Sequence, residues 1–221
     1  FMSYGEKFLG KTTVLCKDTP GFIGNRIGVY SMAKIMELTE EIGLTIEEAD
    51  SLTGDLLNRP KTGTFKLGDL VGLDTAFNVT KGLQSNLKED EMVQALKDSK
   101  TLNHLIENKF LGDKAKKGFY YKEKDAGGNV NRFVLNYETL GYEPTKQPKL
   151  PVVKAAKEAG SLKNRLSILL KDQTKAGELI RKHYASLFAY VSQRVPEITD
   201  VFYSIDDAMK TGYAWRDGPF E

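Results

Sequence analysis

Asn25 is the residue of this 221-residue chain best placed to touch a ligand. It stands in Lys17-Asp18-Thr19-Pro20-Gly21-Phe22-Ile23-Gly24-Asn25-Arg26, just past a Pro-Gly corner and one turn into a helical pattern. Proline fixes φ and glycine supplies unusual backbone angles, so the chain can turn sharply between two elements here. The carboxamide of Asn25 both donates and accepts hydrogen bonds. A polar group at a strand-to-helix junction suits a cleft between two domains, where ligands bind. The plainer alternative is a tight turn with a capping amide, and the segment alone leaves both open.

The other chemistry-bearing types point less clearly to a reaction. His104 and His183 sit on separate helical patterns, with no second His or Cys at metal-ligand spacing and no evident nucleophile or acid–base partner. Both read as surface or packing residues. Cys16, the single cysteine, lies in Thr13-Val14-Leu15-Cys16 and reads as a small buried residue. No Gly-x-Gly-x-x-Gly follows a strand, so a dinucleotide fingerprint is missing. Most carboxylates stand at helix starts, where they favour the dipole. Asp69 differs, because it interrupts an apolar segment after Leu67-Gly68. It reads as a helix cap or as a group that orients a partner.

Composition narrows the class. Lys and Arg total 32 against 30 Asp and Glu, a net charge of +2, which argues against a nucleic-acid partner. Lys114, Lys116 and Lys117 form a short basic loop. One cysteine allows no internal disulfide and fits a reducing cytoplasm. No apolar run is long enough to span a bilayer, and no secretory signal is visible. The chain opens on Phe1 and closes on Phe220-Glu221, which reads as a fragment of a longer protein.

The elements that must position Asn25 are mostly helical. Lys11 to Lys17 is β-branched and predicts a short strand after the tail of a helix. A broad apolar face from Phe22 to about Ile42 predicts a long helix, stopped by Gly43. Thr45 with Glu48 is a capping-box start for a helix from Ile46 to about Leu57, ended by Arg59-Pro60. Shorter helices follow at Phe65–Leu70, from Asp74 as cap to Leu87, at Glu89–Leu96 and at Thr101–Asn108. Two apolar runs around Asp125-Ala126-Gly127-Gly128 predict a hairpin. Pro144, Pro148 and Pro151 with intervening lysines mark a linker. Beyond it lie helices at Leu162–Lys171, Ala176 to about Val195, and one capped by Ser204 with Asp207 that ends near Gly212.

The two halves resemble each other. A long helix precedes Glu47-Glu48-Ala49-Asp50 and then Arg59-Pro60-Lys61-Thr62-Gly63-Thr64-Phe65. Another precedes Asp206-Asp207-Ala208-Met209 and then Trp215-Arg216-Asp217-Gly218-Pro219-Phe220. This order suggests two copies of one helical unit packed about a pseudo-twofold axis.

Together these segments resemble the C-terminal region of the L-3-hydroxyacyl-CoA dehydrogenase family. Lys17 to Arg26 matches the family's junction motif, Arg59 to Asp74 resembles its Arg-Pro-x-x-Gly-Pro-Phe segment, and Gly118-Phe119-Tyr120 matches its hairpin start. Gly218 to Glu221 is similar to the repeat found in long, multifunctional bacterial members. Thr64 stands where the family has Pro, Gly24 where a larger aliphatic is common, and Gly112 to Lys117 lacks the usual Arg and inner Gly. These departures touch loop geometry.

The resemblance implies a mainly α fold, a duplicated helical domain like the C-terminal domain of 6-phosphogluconate dehydrogenase, with a short N-terminal strand and a small β-hairpin. It implies residues 1–19 as the tail of an NAD-binding domain, 20–142 and 161–221 as two helical repeats, the second truncated, and 143–160 as the linker. It implies NAD as cofactor and oxidation of a 3-hydroxyacyl-CoA to the 3-oxoacyl-CoA in fatty-acid β-oxidation. The family's catalytic His–Glu pair belongs to the nucleotide domain and has no counterpart here. Of the substrate-contacting residues only the junction Asn maps onto this chain, at Asn25, which would bond the acyl-CoA oxygen near the reacting carbon. Implied partners are acyl-CoA, the chain's own NAD-binding domain and a possible fused enoyl-CoA hydratase domain, with no nucleic acid and no membrane. In shorter members this helical domain makes the homodimer, and the second repeat here can fill that place within one chain. The alternatives are a non-catalytic assembly module, or the C-terminal domain of a related hydroxyacid dehydrogenase.

Overall fold

The computed structural model describes residues 1–87, 90–91 and 99–221 of the chain. Helix α1 (Met2–Lys7) leads through an extended run to the Pro-Gly corner and into α2 (Gly24–Ile42). Gly43 closes α2 in a left-handed conformation at φ 72°, its amide donating back to Thr39 and Glu40. The capping box forms as its spacing predicts: Glu48 N donates to Thr45 Oγ1 at 3.2 Å and Thr45 N to Glu48 Oε2 at 2.9 Å. It starts α3 (Ile46–Thr53), which tightens into a 3₁₀ turn at Asp55–Leu57. Then come α4 (Thr64–Val71), α5 (Leu73–Asn86) and α6 (Lys100–Glu107).

A three-stranded antiparallel sheet follows, with β1 (Tyr120–Lys124), β2 (Val130–Leu135) and β3 (Tyr142–Pro144) in that order. Tyr121 faces Phe133, and Phe133 faces Pro144. The Asp125 carboxylate holds the first turn, accepting from the amides of Gly127 and Asn129 at 2.9 Å each. Helices α7 (Pro151–Glu158), α8 (Leu162–Lys171), α9 (Lys175–Arg194) and α10 (Tyr203–Gly212) complete the chain.

The long helices α2 and α9 pack along each other and join the halves. Tyr30 of α2 stacks on Tyr190 of α9 with ring centroids 3.8 Å apart. One apolar core gathers Ile23, Ile27, Tyr30, Leu187, Val191, Ile205 and Met209 near the corner. The other lies beyond it and includes Leu52, Phe65, Phe119, Leu169 and Ile180. Both cores draw on residues from before and after the proline-rich segment, so neither half buries its apolar faces alone.

Several expectations need correction. Lys11–Lys17 is not a strand, because among the described residues no strand lies beside it to complete a ladder; its ends alone find carbonyls, Lys11 N that of Gly5 at 3.0 Å and Lys17 N that of Ile198 at 2.8 Å. Phe22 is exposed and precedes α2 instead of joining its apolar face. The hairpin gains a third strand, and the proline-rich stretch carries the end of that strand and the whole of α7, whose Ala156 is fully buried. Ser204 lies inside α10 and caps nothing. Gly72, not Asp74, is the cap residue of α5. The helix expected over Glu89–Leu96 lies largely outside the described residues.

Candidate functional site at the Pro-Gly corner

The corner is a stack of short-range bonds. Thr19 N donates to Lys17 O and Phe22 N to Thr19 O, both at 2.9 Å, and Asn25 N reaches Gly21 O at 3.2 Å. Gly21 sits at φ 78° and Phe22 at φ 49°, so two consecutive left-handed residues swing the chain into α2. This leaves Asn25 exposed in the first turn of α2. Its Oδ1 accepts a hydrogen bond from the Tyr213 hydroxyl at 2.7 Å. Among the described residues no group takes its Nδ2, which stays free to donate.

The second half of the chain clamps this corner. Lys17 Nζ donates to Pro196 O at 2.7 Å and pairs with Asp200 at 2.6 Å. Arg26, one residue past Asn25, points inward and is fully buried. Its Nη2 meets Asp90 at 2.6 Å and Glu197 at 2.9 Å, and its Nε donates to the Tyr190 hydroxyl at 3.3 Å. Arg194 meets the same Asp90 at 2.7 Å. Neighbours on α2 thus divide their tasks: Arg26 fixes the helix to its partner, and Asn25 faces out.

Two carboxylates, the half-buried Asp50 and the buried Asp206, brace the frame in equivalent ways. Asp50 of α3 accepts from the amides of Phe65 at 2.6 Å and Lys66 at 3.1 Å, and from the Tyr120 hydroxyl at 2.8 Å. Asp206 of α10 accepts from Phe220 N at 2.9 Å. A Cβ on Gly63 would lie 2.6 Å from Asp50 Cβ, and one on Gly218 would collide with Asp206. The repeat therefore pairs Asp50 with Asp206, about one helical turn from the register that the acidic clusters suggest. Those are the carboxylates that reach the amide of the phenylalanine ending each Gly-x-Phe. Burial pushes the Asp50 carboxyl up to about 7, against the opposing pull of the Phe65 amide. It also raises Asp206.

Asp69 is not a helix cap. It accepts from Phe119 N at 2.8 Å and Tyr120 N at 2.9 Å, tying the start of β1 to α4, and burial raises it to about 6. His104 is half-buried on α6, where Nδ1 lies 3.4 Å from Asn108 Nδ2. His183 is fully buried on α9, and both ring nitrogens lack partners. Burial and the nearby Arg59 guanidinium hold it neutral, well below the usual histidine range. Neither histidine touches Asn25. Among the described residues no group of three or more His, Cys, Asp or Glu side chains could hold a metal ion. No described strand, glycine loop and helix form a dinucleotide cradle either.

Sequence reading missed Tyr213, although one signal pointed to it. Gly24 and Gly28 stand one turn apart on α2, and such spacing marks a helix face that something approaches closely.

Residues 21–122 match the family model described as 3-hydroxyacyl-CoA dehydrogenase, C-terminal domain. That match takes in the corner, Asn25, Asp50, Asp69 and the start of β1. Residues 21–122 are a 3-hydroxyacyl-CoA dehydrogenase C-terminal domain. A Bacillus subtilis (strain 168) protein assigned as a 3-hydroxyacyl-CoA dehydrogenase is 36% identical over 219 residues, which is 99% of this chain and 27% of that protein. A Rickettsia prowazekii protein assigned as a fatty acid oxidation complex trifunctional enzyme is 31% identical over 97% of this chain and 28% of its own length. The chain thus spans about a quarter of these relatives. The crystal structure of 3-hydroxybutyryl-CoA dehydrogenase from Escherichia coli superposes with a TM-score of 0.63 at 20% identity, covering 95% of this chain and 54% of that one. It shares the fold of this dehydrogenase domain. No helix among the described residues is long and apolar enough to cross a membrane.

Proposed function

We propose that the chain forms the substrate-side and packing region of an NAD-dependent L-3-hydroxyacyl-CoA dehydrogenase of fatty-acid β-oxidation. In this reading residues 1–19 end a nucleotide-binding domain, 20–142 and 161–221 are paired helical repeats, and 143–160 connects them. Asn25 binds the acyl-CoA oxygen nearest the reacting carbon. The observation that carries this reading is the exposed Asn25 amide, with Oδ1 occupied and Nδ2 free, at the corner where the family's motif falls.

NAD supplies hydride acceptance in such a reaction, and the described residues do not fit it, since they offer no phosphate-binding glycine loop. Its site and the His–Glu acid–base pair are assigned to the nucleotide domain, and these residues take no part in hydride transfer. Their own contribution is to hold a donor at a fixed place. A donor aimed at the substrate oxygen favours whichever state carries more negative charge there. The reading also includes a cytoplasmic setting and a fused enoyl-CoA hydratase domain, supported by the trifunctional assignment of the Rickettsia relative.

Steady-state kinetics of the intact protein test the assignment. A neutral hydrogen bond is worth about 0.5–1.5 kcal/mol, so Asn25→Ala should lower kcat/KM for a 3-hydroxyacyl-CoA about threefold to tenfold. Unchanged kinetics would remove Asn25 from the site and favour the assembly module, in which the Tyr213–Asn25 bond is packing alone.

A further inference from the structure

The Tyr213 ring lies flat against the backbone of α2. A Cβ on Gly24 would lie 3.1 Å from its Cε2, and one on Gly28 would lie 2.5 Å from Cζ and 2.6 Å from Cδ1. Only glycine at position 28 admits the ring where it is. The hydroxyl at the end of that ring reaches Asn25 Oδ1 at 2.7 Å.

Tyr213 is itself held firmly. It caps the C-terminus of α10, its amide donating to Met209 O at 3.1 Å, and Ala214 follows in a left-handed conformation at φ 54°. Trp215 then turns back, its amide bonding the same Met209 carbonyl at 3.3 Å. The Arg59 guanidinium stacks on the Trp215 ring at 4.0 Å and donates to Ser31 Oγ of α2 at 3.2 Å. Arg216 N donates to Asn58 O at 2.8 Å. The tail after α10 is therefore pinned to the first half on both sides of its turn. Burial raises the Tyr213 hydroxyl, which keeps its proton available to donate.

An exposed carboxamide on the first turn of a helix would otherwise sample several rotamers. A fixed donor on Oδ1 selects one of them and turns Nδ2 outward. We propose that Tyr213, from the second half of the chain, is a positioning residue for the acyl-CoA site, orienting the Asn25 carboxamide so that Nδ2 donates to the substrate oxygen. The second repeat then does more than pack, since it sets the substrate-facing amide of the first. This rests on the assignment of Asn25 above.

The test uses the intact enzyme and a four-member cycle of wild type, Tyr213→Phe, Asn25→Ala and the double variant. Tyr213→Phe keeps the ring and removes only the hydroxyl. It should lower kcat/KM for the acyl-CoA about threefold to tenfold, with the KM for NAD unchanged and the melting temperature lowered by at most about 2–4 °C, the cost of one lost hydrogen bond. Added to Asn25→Ala it should cost nothing further, because the amide it orients is gone. If Asn25→Ala is impaired while Tyr213→Phe has wild-type kinetics, the positioning role is overturned and the assignment of Asn25 stands. If Asn25→Ala has wild-type kinetics, both fall. Losses that simply add in the double variant, or a fall in melting temperature well beyond about 4 °C, would overturn the positioning role in favour of packing.

Discussion

Gly28→Ala offers a sharp test of how closely the two halves meet. The added methyl would lie 2.5 Å from Tyr213 Cζ, with Cδ1 at 2.6 Å. Carbon atoms rest at about 3.5–4.0 Å, so the ring must retreat by about 1 Å or more. The Tyr213–Asn25 bond is 2.7 Å long, and a retreat of that size takes it out of hydrogen-bonding range. Two energies compete. Alanine gains about 1 kcal/mol over glycine in a helix interior. Overpacking costs about 1–3 kcal/mol, and the lost hydrogen bond adds about 1 kcal/mol. The net expectation is a destabilisation of about 1–3 kcal/mol, together with a loss of kcat/KM for the acyl-CoA. Denaturant unfolding of the intact protein measures the first and steady-state kinetics the second. In a Tyr213→Ala background the clash is gone, and the same substitution should stabilise by up to about 1 kcal/mol. A Gly28→Ala protein with wild-type kinetics and raised stability, Tyr213 being present, would refute the close approach.

Two further outcomes follow from buried titratable groups. His183→Leu replaces two unpartnered ring nitrogens with an apolar side chain of similar volume, so it should raise stability at pH 7.5 by about 1 kcal/mol. Because folding depresses the His183 pKa, the unfolded chain takes up the proton first, and wild-type stability is lost as pH falls below about 6.5. The advantage of His183→Leu should therefore grow by about 1.4 kcal/mol per pH unit below that point, and a constant difference between pH 7.5 and 5.5 in denaturant titrations would contradict it. Asp50→Ala strands two amides and a hydroxyl and should cost about 2–4 kcal/mol, against about 1 kcal/mol for Asp206→Ala, which strands one amide. The raised pKa of Asp50 means the native state holds the proton longer than the unfolded chain, so wild-type stability declines as pH rises toward 7. The cost of Asp50→Ala should accordingly be larger at pH 5 than at pH 8, and the reverse order would contradict the burial of that carboxyl.

Local signals were the most legible in the sequence. The capping box at Thr45, the left-handed Gly43 and the Asp125 turn each depend on residues within five positions, and each forms. Features needing a distant partner were not legible. Lys11–Lys17 has strand composition, yet composition cannot supply the neighbouring strand it lacks. Asp69 has the form of a helix cap, but its amides come from residues 50 positions on. The duplicated Asp–Gly-x-Phe unit was visible, and its register was not, since only the fold shows which carboxylate reaches the phenylalanine amide. At the candidate site the motif singled out Asn25. Its partner 188 residues away left only the Gly24–Gly28 spacing as a trace.

The central claim is that Asn25 Nδ2 faces the acyl group of a bound substrate. A crystal structure of the intact protein with NAD and a 3-oxoacyl-CoA measures it directly. The expected result is Nδ2 within about 3.2 Å of an acyl oxygen, with Oδ1 still bonded to Tyr213. An acyl group bound away from the corner, with Asn25 contacting only Tyr213, would contradict it.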